Sequence, residues 1–229
     1  MSFMAKIAAG AATLALAGSG LGMVGTQSAS AKTPSCGGCA NWYTQKFGEH
    51  FVLDALHGQA STGNAVILFQ ASNSDPAEDF VTGYLGTVDS FYDHHHHNHN
   101  HNYLISPGFD QAYGDDEAIE IRYEPLGADS DLCIGTWPGE VAQAGFKIRL
   151  EACGQASTLF AIDEADASGD YTPLITGTDT NYSSPLVLNY PAGNPTDLPR
   201  PWLNVEPLNT FSTGTVFDSQ LWETPPVAP

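Results

Sequence analysis

A strand-turn-strand pattern recurs three times in this chain, and it limits the fold more than any other feature. The copies begin at Phe51, at Leu132 and, more loosely, at Pro173. Each has an apolar triplet and a stretch rich in Gly, Ser and Thr. A second apolar run follows about fourteen residues on, or about twelve in the third copy. A unit of this size cannot bury its apolar face alone, so the copies must pack on one another. The pattern predicts one architecture built from three similar parts, and it points to binding rather than catalysis.

Composition supports an all-β chain. Charged residues are only 14%, while there are 23 glycines and 15 prolines. Gly and Pro punctuate almost every window, and no segment after the leader sustains a helical apolar period beyond a few turns. That mixture suits a turn-rich domain of short strands. The formal charge of -19, from 26 acidic and 7 basic residues, argues against a nucleic-acid partner, whose phosphates need clustered Lys and Arg.

The first residues have the form of a targeting segment. Lys6 precedes an apolar run over residues 7–24, and Ala29-Ser30-Ala31 fits a cleavage site. Residues 1–31 are therefore expected to be a signal peptide and the protein to be secreted. The competing reading, a membrane anchor, is weaker because Gly and Ser interrupt the run before it reaches the ~20 apolar residues a span needs. No later stretch is apolar enough, so no membrane insertion is expected once the signal is removed. Export permits disulfides, and the even number of four cysteines suits two bridges.

The remaining chain divides into an N-terminal leader (residues 32–50), a single domain (51–223) and a disordered tail (224–229). A long insertion over about residues 86–117 interrupts the domain. Cys133 and Cys153 sit at corresponding edges of the second copy, twenty residues apart. If its strands pair as a hairpin, the two sulfurs meet across the base, and closing such a loop contributes ~3 kcal/mol in the chain-entropy account. Cys36 and Cys39 suit a local bridge or a tie to a neighbouring molecule. A redox motif would need a strand before it and a helix after it. Half of a zinc site, with the His run as partner, is an alternative that the spacing does not demand.

Gln220-Leu221-Trp222, the cysteine spacing and the threefold repeat together resemble the ricin-type β-trefoil lectins, whose repeats each end in a Gln-x-Trp signature. Thr158-Leu159-Phe160 and Glu78-Asp79-Phe80 stand at the matching places of the other two copies. The resemblance implies a β-trefoil of three repeats, with the His-rich insertion between repeats one and two and an aromatic from each repeat in the core. It also implies a sugar site in repeat one. Asp54 would accept hydrogen bonds from hydroxyls, Phe69 would stack on the pyranose and Asn73 would complete the clamp, with Glu78 beside them. This mix answers the apolar face and polar rim of a sugar. The Gly63-Asn64-Ala65 turn fits the family, whereas Ile67 stands where family members often have Gln. Repeat two has Gly135 and Glu151 at the Asp and aromatic places. Repeat three offers Tyr190 as a ring but only Thr176 or Gly177 for the Asp, leaving at most one intact site. The plainer readings are a turn-capping carboxylate for Asp54 and an ordinary strand residue for Phe69.

His94, His95, His96, His97, His99 and His101 put six imidazoles within eight positions. Neutral imidazoles bind Zn, Cu or Ni, so weak metal binding is expected in vitro. Nothing in the sequence supplies the partners that orient metal-ligating rings, and a solvated low-complexity loop is the plainer reading. No nucleophile elbow, zinc-protease helix or phosphate loop occurs. His50 and His57 lack a nearby nucleophile, so no enzyme and no required cofactor is expected. The sequence thus predicts a secreted, non-catalytic carbohydrate-binding protein whose partner is a sugar or cell-wall glycan. The alternatives are a trefoil scaffold for a protein or cell-wall partner and a His-rich extracellular metal binder.

Overall fold

The computed structural model describes residue 36 and residues 38–72, 75–90, 105, 107–178 and 184–223, within one compact unit spanning Ala31–Pro229. The expected signal peptide, Asn73, the His run over residues 94–101 and the tail lie outside the described residues.

Three antiparallel hairpins form one layer. β1 (Phe51–Ala55) pairs with β2 (Val66–Gln70), β5 (Leu132–Gly135) with β6 (Arg149–Ala152), and β10 (Leu186–Asn189) with β11 (Asn204–Pro207). All three are bound together at one point. The Val66 N–H donates to the Ile148 carbonyl at 3.3 Å, Ile148 N–H to Leu203 at 2.8 Å, and Leu203 N–H back to Val66 at 2.9 Å. This closed ring of three backbone hydrogen bonds marks a pseudo-threefold axis, and the side chains of Val66, Ile148 and Leu203 are fully buried.

The second layer is a closed ring of six strand positions. Residues 40–44 meet β3 (Phe80–Thr87) through the Ala40–Phe80 bridge. β3 pairs with β4 (Glu117–Tyr123), β4 with β7 (Phe160–Ile162), and β7 with β9 (Leu174–Thr176). β8 (Tyr171–Thr172), on the same chain segment as β9, pairs with β12 (Trp222–Glu223), and Trp222 bridges back to Thr44. Closure leaves no free sheet edge in this layer. A six-stranded barrel joined to three hairpins around a threefold axis is a β-trefoil.

The three signature aromatics Phe80, Phe160 and Trp222 are fully buried in one apolar cluster with residues of all three hairpins. Each such ring contributes on the order of 2–3 kcal/mol by leaving water. Between β3 and β4 in the chain lies α1 (Pro107–Tyr113), whose Phe109 is fully buried beside Val88, Ala118, Leu159 and Ile175.

Two sequence assignments need correction. The third copy is not the segment starting at Pro173. β9 is a barrel strand, and the third hairpin is β10–β11, with the Pro-rich residues 190–203 as its turn. Apolar triplets occur in both kinds of strand, and this confuses the register. The domain also starts before Phe51. Trp42 is fully buried in the core, and residues 40–44 supply a barrel position. This segment is too short to show alternation, so it reads as a leader.

Cys133–Cys153 forms the bridge across the second hairpin, with Cα atoms 5.0 Å apart. Cys36–Cys39 closes locally. Among the described residues, no helix is long and apolar enough to cross a membrane.

Candidate functional site

The backbone ring fixes which residues correspond between repeats. One residue beyond it, Ile67, Arg149 and Asn204 pair across their hairpins with Asp54, Gly135 and Asn189. Three residues beyond it stand Phe69, Glu151 and Glu206. Repeat three therefore carries Asn189 at the Asp position, not Thr176 or Gly177, and Glu206 rather than Tyr190 at the ring position. Tyr190 is buried against Phe47, their rings 5.0 Å apart and nearly perpendicular.

Repeats two and three carry different groups at these positions. At Gly135 an added Cβ would lie 2.4 Å from the Ser157 carbonyl oxygen and 2.9 Å from the Thr158 methyl. No aspartate fits there. Arg149 also lies over Trp137, 3.6 Å from its ring centroid, and 3.7 Å from the Glu151 carboxylate. In repeat three Asn189 donates to Asn204 Oδ1 and accepts from Ser219, while Asn204 donates to Glu206. These polar groups satisfy one another.

Repeat one is open. A pocket of about 460 Å³ is lined by Asp54, Phe69, Asp75, Ala77 and Arg200 among others, so two of the residues expected from sequence share one cavity. Asp54 sits on β1, which buries its side chain almost completely, and Phe69 on β2 is half-buried. After β1 the chain turns through His57 and Gly58, both left-handed with φ near +61° and +63°. Asp75 caps the 3-10 turn Pro76–Glu78 by accepting from the Ala77 N–H at 3.0 Å.

Arg200 is the residue that sequence reasoning missed. It comes from the turn of the third hairpin, and its guanidinium carbon lies 4.3 Å from the Phe69 ring centroid. The Ile67–Trp202 bridge and the Leu203-to-Val66 hydrogen bond dock this turn on repeat one. Its only sequence signal was a cation held between Pro199 and Pro201.

Glu78 binds the chain itself. Both of its carboxylate oxygens lie 3.0 Å from the Ser72 N–H. The corresponding N–H groups are Gly154, which donates to Glu120 at 2.6 Å, and Asn209, which donates to Gln220 at 2.8 Å. Thr158, at the signature position of repeat two, reaches the same Glu120 carboxylate through its hydroxyl. Gln220, Glu78 and the Glu120–Thr158 pair thus each secure the loop after the second hairpin strand.

Burial raises the Asp54 carboxyl from 3.8 to about 7; the Asp75 and Glu78 charges add to this, and Arg200 opposes it. Burial likewise pushes the Tyr123 hydroxyl to about 12, with Asp54, Asp79 and Asp75 adding to it. A second cavity of about 300 Å³ is lined by Asp115, Asp116, Glu117 and Glu164 with their neighbours. There burial, then Asp163, Glu164 and Asp115, raises Asp116 to about 6.

No protein family and no curated protein matches this sequence. Among solved structures, the chain is similar to ThreeFoil, a designed threefold-symmetric protein. The TM-score is 0.49 at 12% identity, over 81% of this chain and 96% of that one. It is also similar to the ligand-binding domain of botulinum neurotoxin serotype D, solved with N-acetylneuraminic acid. Here the TM-score is 0.42 at 10% identity, over 82% of this chain and 40% of that one.

Proposed function

We propose that the protein is a secreted, non-catalytic carbohydrate-binding β-trefoil of the ricin-type lectin kind, with a single sugar site in repeat one. The observation that carries this reading is the convergence of Asp54, Phe69 and Arg200 on one pocket. Its volume lies within the ~300–1,000 Å³ usual for small-ligand sites. Asp54 accepts hydrogen bonds from hydroxyls and Arg200 donates to ring or hydroxyl oxygens. Phe69, Pro76 and Ala77 supply the apolar wall. The guanidinium on Phe69 changes the clamp expected from sequence, because one ring face meets Arg200 and the sugar packs against the pair. With one site per chain, affinity is weak unless several chains act together.

A glycan array probed with the full-length chain and with Asp54→Ala tests this. The reading requires glycan binding by the first and its loss in the second, with the variant folded. A folded wild type that binds no glycan sinks it.

A second reading, a scaffold for a protein partner, draws on Phe211 and Phe217. Their rings are 4.4 Å apart and they are 49% and 36% exposed. Retention of one partner by the wild type but not by Phe211→Ser would support it.

A further inference from the structure

Two carboxylates line the repeat-one pocket, Asp54 and Asp75, and a third, Glu78, stands close to both. Asp54 comes from β1, Asp75 from the residue capping the 3-10 turn, and Glu78 from the end of that turn. One carboxylate oxygen of each lies within 4.8 Å of the other two. Oxygens facing each other across a bound Ca²⁺ are roughly 4.6–5.2 Å apart, from its usual oxygen distances. The three carboxylates therefore already stand close enough to share one ion without backbone movement.

Two further observations concern the same spot. Asp54 is only 5% exposed, so its carboxylate has little access to bulk water. The Tyr123 side chain is fully buried, and among the described residues its hydroxyl has no hydrogen-bond partner. That hydroxyl lies 4.0 Å from where a Cβ on Gly58 would be, and Gly58 lines the pocket. Leaving such a group unpaired is costly, and a water on a bound ion would satisfy it.

We propose that Asp54, Asp75 and Glu78 form a calcium site in the wall of the repeat-one pocket. Their donor set is all oxygen, which selects a hard cation over Zn or Cu. Calcium tolerates the irregular arrangement that a strand, a capping residue and a 3-10 turn provide. Glu78 is held in place by Ser72, Asp75 keeps its cap on Ala77, and water fills the remaining positions. The site shares its pocket with the sugar reading but does not depend on a sugar being the ligand.

The test is calorimetric titration of CaCl₂ into the full-length chain after EDTA treatment and dialysis. Asp54→Asn, Asp75→Asn and a deletion of residues 94–101 are titrated in parallel. Asp75→Asn retains a capping oxygen and is the variant expected to fold as the wild type does, with circular dichroism as the check. The expected result is one ion per chain with a dissociation constant of about a millimolar or below. Asp54→Asn and Asp75→Asn weaken binding by about tenfold or more, and the deletion leaves it unchanged. No saturable binding by the wild type, equal binding in both Asn variants, or loss only in the deletion would overturn the proposal. Calcium binding without any glycan binding upholds it and sinks the sugar reading. Glycan binding that ignores EDTA in a chain that takes no calcium does the reverse.

Discussion

Arg200 and Phe69 come from different repeats, yet the guanidinium of one covers the ring of the other at 4.3 Å. The contact closes one side of the repeat-one pocket with a cation from repeat three, and it links the Pro-rich turn to that pocket. Such a pair is worth ~0.5–2 kcal/mol. Arg200→Ala is expected to lower glycan affinity by about threefold or more, in line with that range, and to change melting temperature only slightly. Calorimetry on a glycan identified by the array measures the first and thermal denaturation the second.

Asp54 makes stability depend on pH. Its carboxyl titrates at about 7 in the folded chain against 3.8 as the ordinary value. The folded state thus holds the proton more tightly than the unfolded one. The resulting stabilisation is complete below about 3.8 and disappears as pH rises through about 7. In calcium-free buffer, Asp54→Asn should remove this contribution, flatten the stability profile between these limits and melt higher than wild type above pH 7. Urea titrations across that range check it. An unchanged profile would mean that Asp54 is not buried as described.

Much of this was legible in the sequence, and what was lost has physical causes. The two clear hairpins and the Cys133–Cys153 bridge follow from local apolar runs and their spacing, whereas Asp54 and Phe69, which line one cavity, were singled out only by the resemblance to ricin-type lectins. The third hairpin was misplaced because β9 and β10 are both short apolar strands separated by turn residues. Only the hydrogen bonds linking Val66, Ile148 and Leu203 tell them apart. Arg200 was invisible for a related reason. Its contact with Phe69 spans two repeats, and periodicity within one repeat carries no information about that. Residues 40–44 form their barrel contacts through isolated bridges, too few to leave an alternating pattern.

Gly135 tests how tightly the second repeat packs on the Ser157 backbone. A Cβ there would come within 2.4 Å of the Ser157 carbonyl oxygen, so the backbone must move. Gly135→Ala is expected to cost ~2–4 kcal/mol, the range of overpacked or strained core sites. Gly38→Ala, with nothing within 4 Å of the new atom, should be close to neutral. Chemical denaturation of the two variants side by side measures the difference.

The Cys133–Cys153 bridge spans a separation of 20 residues. Replacing both cysteines with alanine should lower stability by ~3 kcal/mol through the freed unfolded chain. Denaturant midpoints at constant slope check this, and the first hairpin, which has no bridge, sets the expectation that the fold survives.

The central proposal is that glycan binds in the repeat-one pocket. A ¹H–¹⁵N correlation spectrum of the labelled protein, titrated with a glycan that it binds, tests this most directly. The account predicts that shifts concentrate at Gly58, Phe69, Ala77 and Arg200, while Trp137 and Asn204 stay still. Shifts centred on Trp137 and Arg149, or on Asn189 and Glu206, would contradict it.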